Sequence, residues 1–182
     1  MTPFHAFGDV AATWQNFYML VGTAAATLLG LMFVAVTFGA SLVTAETAQS
    51  ARAFLDPPFA HFVTVLLAAC LMLIPAMTPT VLGGVLIGVT LFRTAALVRV
   101  RRHMVEAHAR HGDVELSDWL MGVVLPAACY AALLATGAGF ITGHAVAFAG
   151  LAAVNVVFLL LGIFSAWELM IWLALSRQRA KG

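Results

Sequence analysis

Four ionisable side chains lie in or beside apolar stretches of the sequence: Asp56, His61, Arg93 and Glu168. Glu168, in "FSAWELMIWL", is the one carboxylate inside a predicted membrane span, where such a group faces a partner, water or the interface. Arg93 precedes the end of another span, so its side chain either snorkels to the interface or pairs with Glu168. Together the four predict an ionisable layer on the inner side of a membrane.

Small and weakly polar residues, with Leu20 and Val34 between them, recur at alternating spacings of four and three in the segment "NFYMLVGTAAATLLGLMFVAVTFGASLVT". This stripe consists of Asn16, Thr23, Thr27, Gly30, Thr37 and Ser41. The spacing places these residues along one side of a helix. The stripe is either a helix-packing seam, with Thr hydroxyls bonded to their own helix, or the lining of a pore. By similar logic Asn155, midway along a later apolar run, predicts an interhelical hydrogen bond.

The composition is that of a polytopic membrane protein. Of the 182 residues 63% are hydrophobic and 9% are charged, and the mean hydropathy is +1.00. A soluble domain of this length cannot bury so much apolar surface, so the bilayer is the expected surrounding. The formal net charge of +1 gives no basic excess, which argues against a nucleic-acid partner.

Apolar runs predict an all-α protein with five transmembrane helices in one domain, 1–182. The predicted spans are 14–43, 57–74, 80–98, 119–139 and 145–175. Asp56 and Pro57 suit the cap and first turn of the second span, and "PAMTP" separates it from the third. The third span is expected to continue to about 111, which forms a short cytoplasmic extension at 99–112. An alternative has four spans, with 57–98 forming a re-entrant hairpin.

The basic residues all fall at alternate ends of the predicted spans. They are Arg52, Arg93, Arg99, Arg101, Arg102, Arg110, Arg177, Arg179 and Lys181. By the positive-inside rule the N-terminus is outside and the C-terminus inside. The cluster of Arg99, Arg101 and Arg102 suits contact with anionic lipid headgroups on the cytoplasmic face.

Motifs for catalysis or cofactor binding are not found. The histidines and acids of "HMVEAHARHGDVE" match no defined metal signature. His61 and His144 are predicted on opposite sides of the membrane, so they cannot ligate one haem. The sequence has no HExxH, no pair of intramembrane aspartates, no phosphate loop and no nucleophile elbow. We therefore expect no enzymatic activity, no metal and no cofactor.

The core of the first apolar segment, "GLMFVAVTF" after "NFYMLVGTAAATLL", resembles a pattern in small bacterial inner-membrane proteins. The first helix of those proteins reads roughly G-L-x-F-V-A-V-Ser/Thr, and some are labelled modulators of the FtsH protease. The resemblance covers about one helix and brings no catalytic residues. It implies a protein of the bacterial inner membrane, and it adds some weight to the regulatory alternative.

Two functions from different classes fit these features. The first is a homo-oligomeric channel or transport protein, with the stripe lining a pore and the ionisable layer shaping its inner mouth. The second is a non-conducting accessory or regulatory subunit, with the stripe docking on a larger membrane protein. We expect the first.

Overall fold

A computed structural model shows an all-helical chain. It describes residues 3–39, 48–75, 77–108 and 124–179, with side chains at 7–38, 55–75, 77–95 and 124–175. These ranges hold no β-strand. Their helices are α1 (Pro3–Gly39), α2 (Ala48–Leu73), α3 (Pro79–His108), α4 (Leu125–Ile141) and α5 (Val146–Arg179).

Three helices within the described ranges are long and apolar enough to cross a membrane. Their apolar stretches are Phe7–Phe38, Leu55–Leu73 and Val146–Leu175. Two shorter apolar stretches, Pro79–Ala95 and Leu125–Ile141, belong to α3 and α4. The chain is therefore helical and has three helices that could span a membrane.

Two helices begin well before their predicted starts. Helix α1 begins at Pro3 rather than at 14. Helix α2 begins at Ala48, so Pro57 and Pro58 lie inside it and Asp56 is not its cap. The prediction at Asp56 was wrong because the residues before it, Ala, Gln, Ser, Ala, Arg and Ala, already favour a helix. The two prolines cannot donate backbone hydrogen bonds, a cost that α2 accepts in its interior.

The other helices agree more closely with the apolar runs. Helix α3 follows Thr78, whose hydroxyl accepts from the backbone N–H of Val81 at 3.3 Å, and Pro79 occupies its first turn. It continues through the predicted cytoplasmic extension to His108. The residues predicted to begin the fourth span, 119–123, lie outside the described ranges, and α4 ends two residues later than predicted, at Ile141.

The chain divides into two compact units, each described here by itself. Unit 1 contains Met1–Trp14 and Ile74–Val154. Unit 2 contains Gln15–Leu73 and Asn155–Gly182. Helices α1 and α5 each contribute one part to both units. The expectation of one domain for the whole chain stays a prediction.

In unit 1, helices α3 and α4 cross at a pair of glycines. A Cβ atom at Gly83 would collide with the Gly137 carbonyl oxygen, and one at Gly137 would lie 3.0 Å from the Gly83 oxygen. The rings of Phe7, Phe140 and Phe148 cluster in the same unit, with centroids 5.1–6.1 Å apart. Close backbone approach and aromatic packing are the contacts that bind helices in lipid, where apolar surface alone gives little preference.

In unit 2, helices α1, α2 and α5 share a core. The buried members of one cluster are Leu29, Met32, Phe62 and Leu169. Gly22 of α1 lies so close to α2 that a Cβ atom there would be 2.9 Å from the Ala69 Cβ. Gly162 of α5 makes room for the ring of Phe62 in the same way. Unit 2 therefore fixes which side of α1 faces its neighbours.

Candidate functional site

The stripe of α1 lies on the outside of the chain. Asn16, Thr23, Thr27, Gly30 and Thr37 are all exposed. The positions between them are exposed as well, with Leu20 at 71% and Val34 at 51%. Ser41, the last residue of the predicted stripe, lies outside the described residues. The stripe is therefore not a seam within unit 2.

The opposite side of α1 makes the contacts within unit 2. Its buried residues are Tyr18, Val21, Gly22, Ala25, Leu29 and Met32. These residues also recur at spacings of three and four, so α1 carries two parallel stripes with the same period. This second stripe was not predicted from the sequence, although the same alternation of four and three recurs in it.

Two stripe hydroxyls are bonded to their own helix. Thr27 donates to the Thr23 carbonyl at 2.8 Å, and Thr37 donates to the Phe33 carbonyl at 2.8 Å. This local bonding satisfies the hydroxyl proton and leaves oxygen lone pairs on the exposed surface. The stripe thus presents hydrogen-bond acceptors and little bulk.

The four residues of the predicted ionisable layer occupy different environments. In unit 2, His61 is buried, with 5% of its surface exposed, whereas Asp56 and Glu168 are exposed. Arg93 is half-buried in unit 1. His61 thus differs from the two acids in burial, and the pairing of Arg93 with Glu168 stays a prediction.

The predicted headgroup cluster lies on helix α3, since Arg99, Arg101 and Arg102 precede its end at His108. Their side chains lie outside the described ones, as do those of the histidines and acids at 103–115. In the part of the chain that the structure describes, no group of three His, Cys, Asp or Glu side chains is arranged to hold a metal ion.

Asn155 is the most deeply buried polar side chain of α5, with 1% of its surface exposed. Among the described residues, neither its amide nitrogen nor its amide oxygen has a hydrogen-bond partner. The expected interhelical hydrogen bond is therefore not formed there. An unsatisfied buried polar group costs roughly 1–3 kcal/mol, so this amide is an unusual feature of a helical core.

The other polar side chains that the structure shows buried in unit 2, His61 and Thr64, both lie on α2. His61 packs its ring on that of Phe158, with centroids 5.5 Å apart and planes inclined by 32°. Phe158 is one turn from Asn155 on the same face of α5, and Thr64 is one turn from His61 on α2. The Thr64 hydroxyl donates to the Ala60 carbonyl at 2.8 Å, so its proton is already used.

Comparisons with known proteins give no relative. No family model matches the sequence, and neither a curated protein nor a solved structure is similar to it. Two features of the described chain stand out, the exposed stripe of α1 and the buried amide of α5.

Proposed function

We propose that the protein is a homo-oligomeric channel or transport protein of the bacterial inner membrane, with five spans and the N-terminus outside. The alternation of its basic residues along the sequence supports this topology. Helix α4 has 17 residues, about 26 Å, which is close to the hydrocarbon thickness of a bilayer. The four-span alternative, with a re-entrant hairpin at 57–98, differs in whether the turn near Thr78 reaches the outer face.

The exposure of the stripe is the observation that carries the proposal. A lipid-facing helix surface gains nothing from Asn16 or from a line of Thr and Gly, since lipid tails prefer large apolar groups. On α1 such groups, Leu31, Phe33 and Phe38, flank the stripe. A narrow polar line between apolar flanks is typical of a helix that meets other helices or water.

Several copies of the chain would be needed to enclose a pore. Five spans are few for a conduction pathway, whereas a ring of copies brings one α1 from each to a common axis. Because the Thr27 and Thr37 hydroxyl protons are bonded to backbone, their oxygen lone pairs would face the lumen. Such a lining favours cations over anions.

Glu168 suits the inner mouth of that pore. It lies 22 residues beyond the start of α5, about 33 Å along the helix, and its side chain is exposed. An acidic ring at this level would concentrate cations. Asp56, exposed on α2, adds a second acid to the ionisable layer that we propose with His61 and Arg93.

Ion flux into liposomes containing the purified protein tests the proposal. We expect K⁺ to pass more readily than Cl⁻. Thr37→Leu should lower flux about tenfold, an added barrier of about 1.4 kcal/mol, and Glu168→Gln should lower it less. Ala153→Leu, at an exposed position of α5, is the matched control and should conduct as the wild type does.

The oligomeric state of each variant separates a pore from a seam. Loss of flux with an intact assembly supports a pore lining, whereas loss of assembly with Thr37→Leu indicates a protomer seam. Wild-type flux and assembly in Thr37→Leu would contradict both.

An accessory subunit is the second candidate, and the surroundings of Gly30 favour it. Nothing lies within 4 Å of a Cβ atom built there, so a partner helix has room to approach the α1 backbone. In this case the wild-type protein conducts no ion and copurifies with a larger membrane protein. Gly30→Leu should abolish that copurification, while Ala153→Leu should leave it intact.

A further inference from the structure

The amide of Asn155 has hydrogen-bonding capacity that the described part of unit 2 does not use. It offers two N–H donors and one carbonyl acceptor, and its side chain is almost completely buried. In a membrane, bulk water cannot reach such a group, so the protein must supply another partner.

The other polar side chains buried in the described part of unit 2 are His61 and Thr64, both on α2. The Thr64 hydroxyl already donates to the Ala60 carbonyl, which leaves its oxygen lone pairs available. Phe158, one turn from Asn155 on the same face of α5, is fully buried and apolar. A small guest that both donates and accepts satisfies the two ends of the amide at once.

The charge of the site constrains the chemistry of that guest. Asp56 and Glu168, the acids among the described side chains of unit 2, are exposed rather than buried beside the amide. A buried ion needs a buried countercharge, which an exposed acid supplies poorly. A neutral molecule that both donates and accepts fits the amide.

We propose that Asn155 binds a water molecule inside unit 2. Buried waters usually make about three hydrogen bonds to polar groups that protein atoms leave unsatisfied, which is the requirement here. The site lies within one chain, on helix α5, whose Phe158 packs on the buried ring of His61. It does not depend on the stripe of α1, and it stands whether or not the protein conducts ions.

The chain has two asparagines, which makes a direct test possible. Asn16 is exposed and Asn155 is buried, so protein labelled with ¹⁵N-asparagine in lipid nanodiscs gives two side-chain amide signals. The exposed Asn16→Gln variant removes one and assigns the other. We expect a magnetisation-transfer cross-peak between the Asn155 amide and water, with slower hydrogen exchange than at Asn16.

A cross-peak from Asn155 to protein protons alone, with none to water, would overturn the proposal. Thermal unfolding of Asn155→Leu gives an independent measure, because leucine has nearly the same shape but makes no hydrogen bond. A higher melting temperature than wild type contradicts the proposal, because it means that the amide is not satisfied, whereas a lower one together with the water cross-peak supports water as the partner.

The control for that substitution is Thr90→Val in unit 1. Thr90 is fully buried, and its hydroxyl donates to the Leu86 carbonyl at 2.6 Å. Its melting temperature should stay close to that of wild type. If Asn155→Leu does not fold, the water cross-peak of the Asn16→Gln protein decides the question.

Discussion

The two sides of helix α1 repeat at the same spacing and differ in size. The buried side carries Tyr18, Leu29 and Met32, and the last two share one core cluster with Phe62 of α2 and Leu169 of α5. The exposed side carries Thr27 and Thr37, whose hydroxyl protons are bonded to their own backbone. One helix thus presents a bulky packing surface and a slender polar one.

This difference shows what decides helix orientation in a membrane. Lipid and protein interior are both apolar, so hydrophobicity does not choose the buried side. Shape does, because large side chains that interlock gain dispersion energy in every contact. Gly22 adds a close approach of α1 to Ala69 of α2. The small exposed stripe is left for a contact outside the chain.

The sharpest way to break the comparison is to enlarge a glycine on each side. Gly22→Leu places bulk where even a Cβ atom would lie 2.9 Å from that of Ala69, so α1 and α2 must separate. We expect the free energy of unfolding to fall by about 3 kcal/mol. Gly30→Leu, in open space on the same helix, should leave it unchanged.

Unfolding in mixed detergent micelles, followed by tryptophan fluorescence, measures both variants. Gly30→Leu should instead reduce oligomerisation or partner binding. Equal destabilisation by the two substitutions would show that the two sides of α1 are packed alike, contrary to the structure.

Removing side-chain volume gives a smaller effect of the same kind. Leu29→Ala opens a cavity beside Met32 and Phe62 and should lower the free energy of unfolding by about 2 kcal/mol. Leu31→Ala, at an exposed position two residues away, exchanges one lipid-facing group for a smaller one and should cost little. Urea-assisted unfolding in micelles distinguishes them. A larger loss for Leu31→Ala would mean that its side, not that of Leu29, is the packed one.

Local chemistry explains which parts of the fold could be predicted. The breaks near "PAMTP" and at 140–144 are set by proline and glycine, and Gly143 does adopt a positive φ of 76°. Hydropathy falls where a chain leaves the apolar region, but a helix does not have to end there. Helix α1 therefore begins at Pro3, with Phe7 packed on Phe140 of unit 1, a tertiary contact that no local pattern reveals.

The residues that share one side of α1 could be identified from the sequence, but the direction in which that side faces could not. Spacing identifies Thr23, Thr27 and Thr37 as neighbours on one side of a helix, whichever side that is. It cannot tell which of two equally periodic stripes is packed, because that depends on the shapes of α2 and α5. Position along α2 likewise places His61 and Asp56 in one layer. The fold shows that they differ, because the His61 ring is buried and the Asp56 carboxylate is exposed.

The finest distinction between the sides of α1 comes from a single hydroxyl. Thr27→Val keeps the branched shape of the side chain and removes its hydrogen bond to the Thr23 carbonyl. That carbonyl lies inside α1 and still accepts its backbone hydrogen bond, so the loss costs little. The free energy of unfolding should change by less than about 0.5 kcal/mol.

The lone pairs that Thr27 presents outward are lost, however, so in a pore the preference for K⁺ over Cl⁻ should weaken while the assembly persists. In a seam of close-packed helices the same variant should assemble and conduct as wild type does. A marked loss of chain stability would instead place Thr27 inside the fold, and the assignment of the two sides would be reversed.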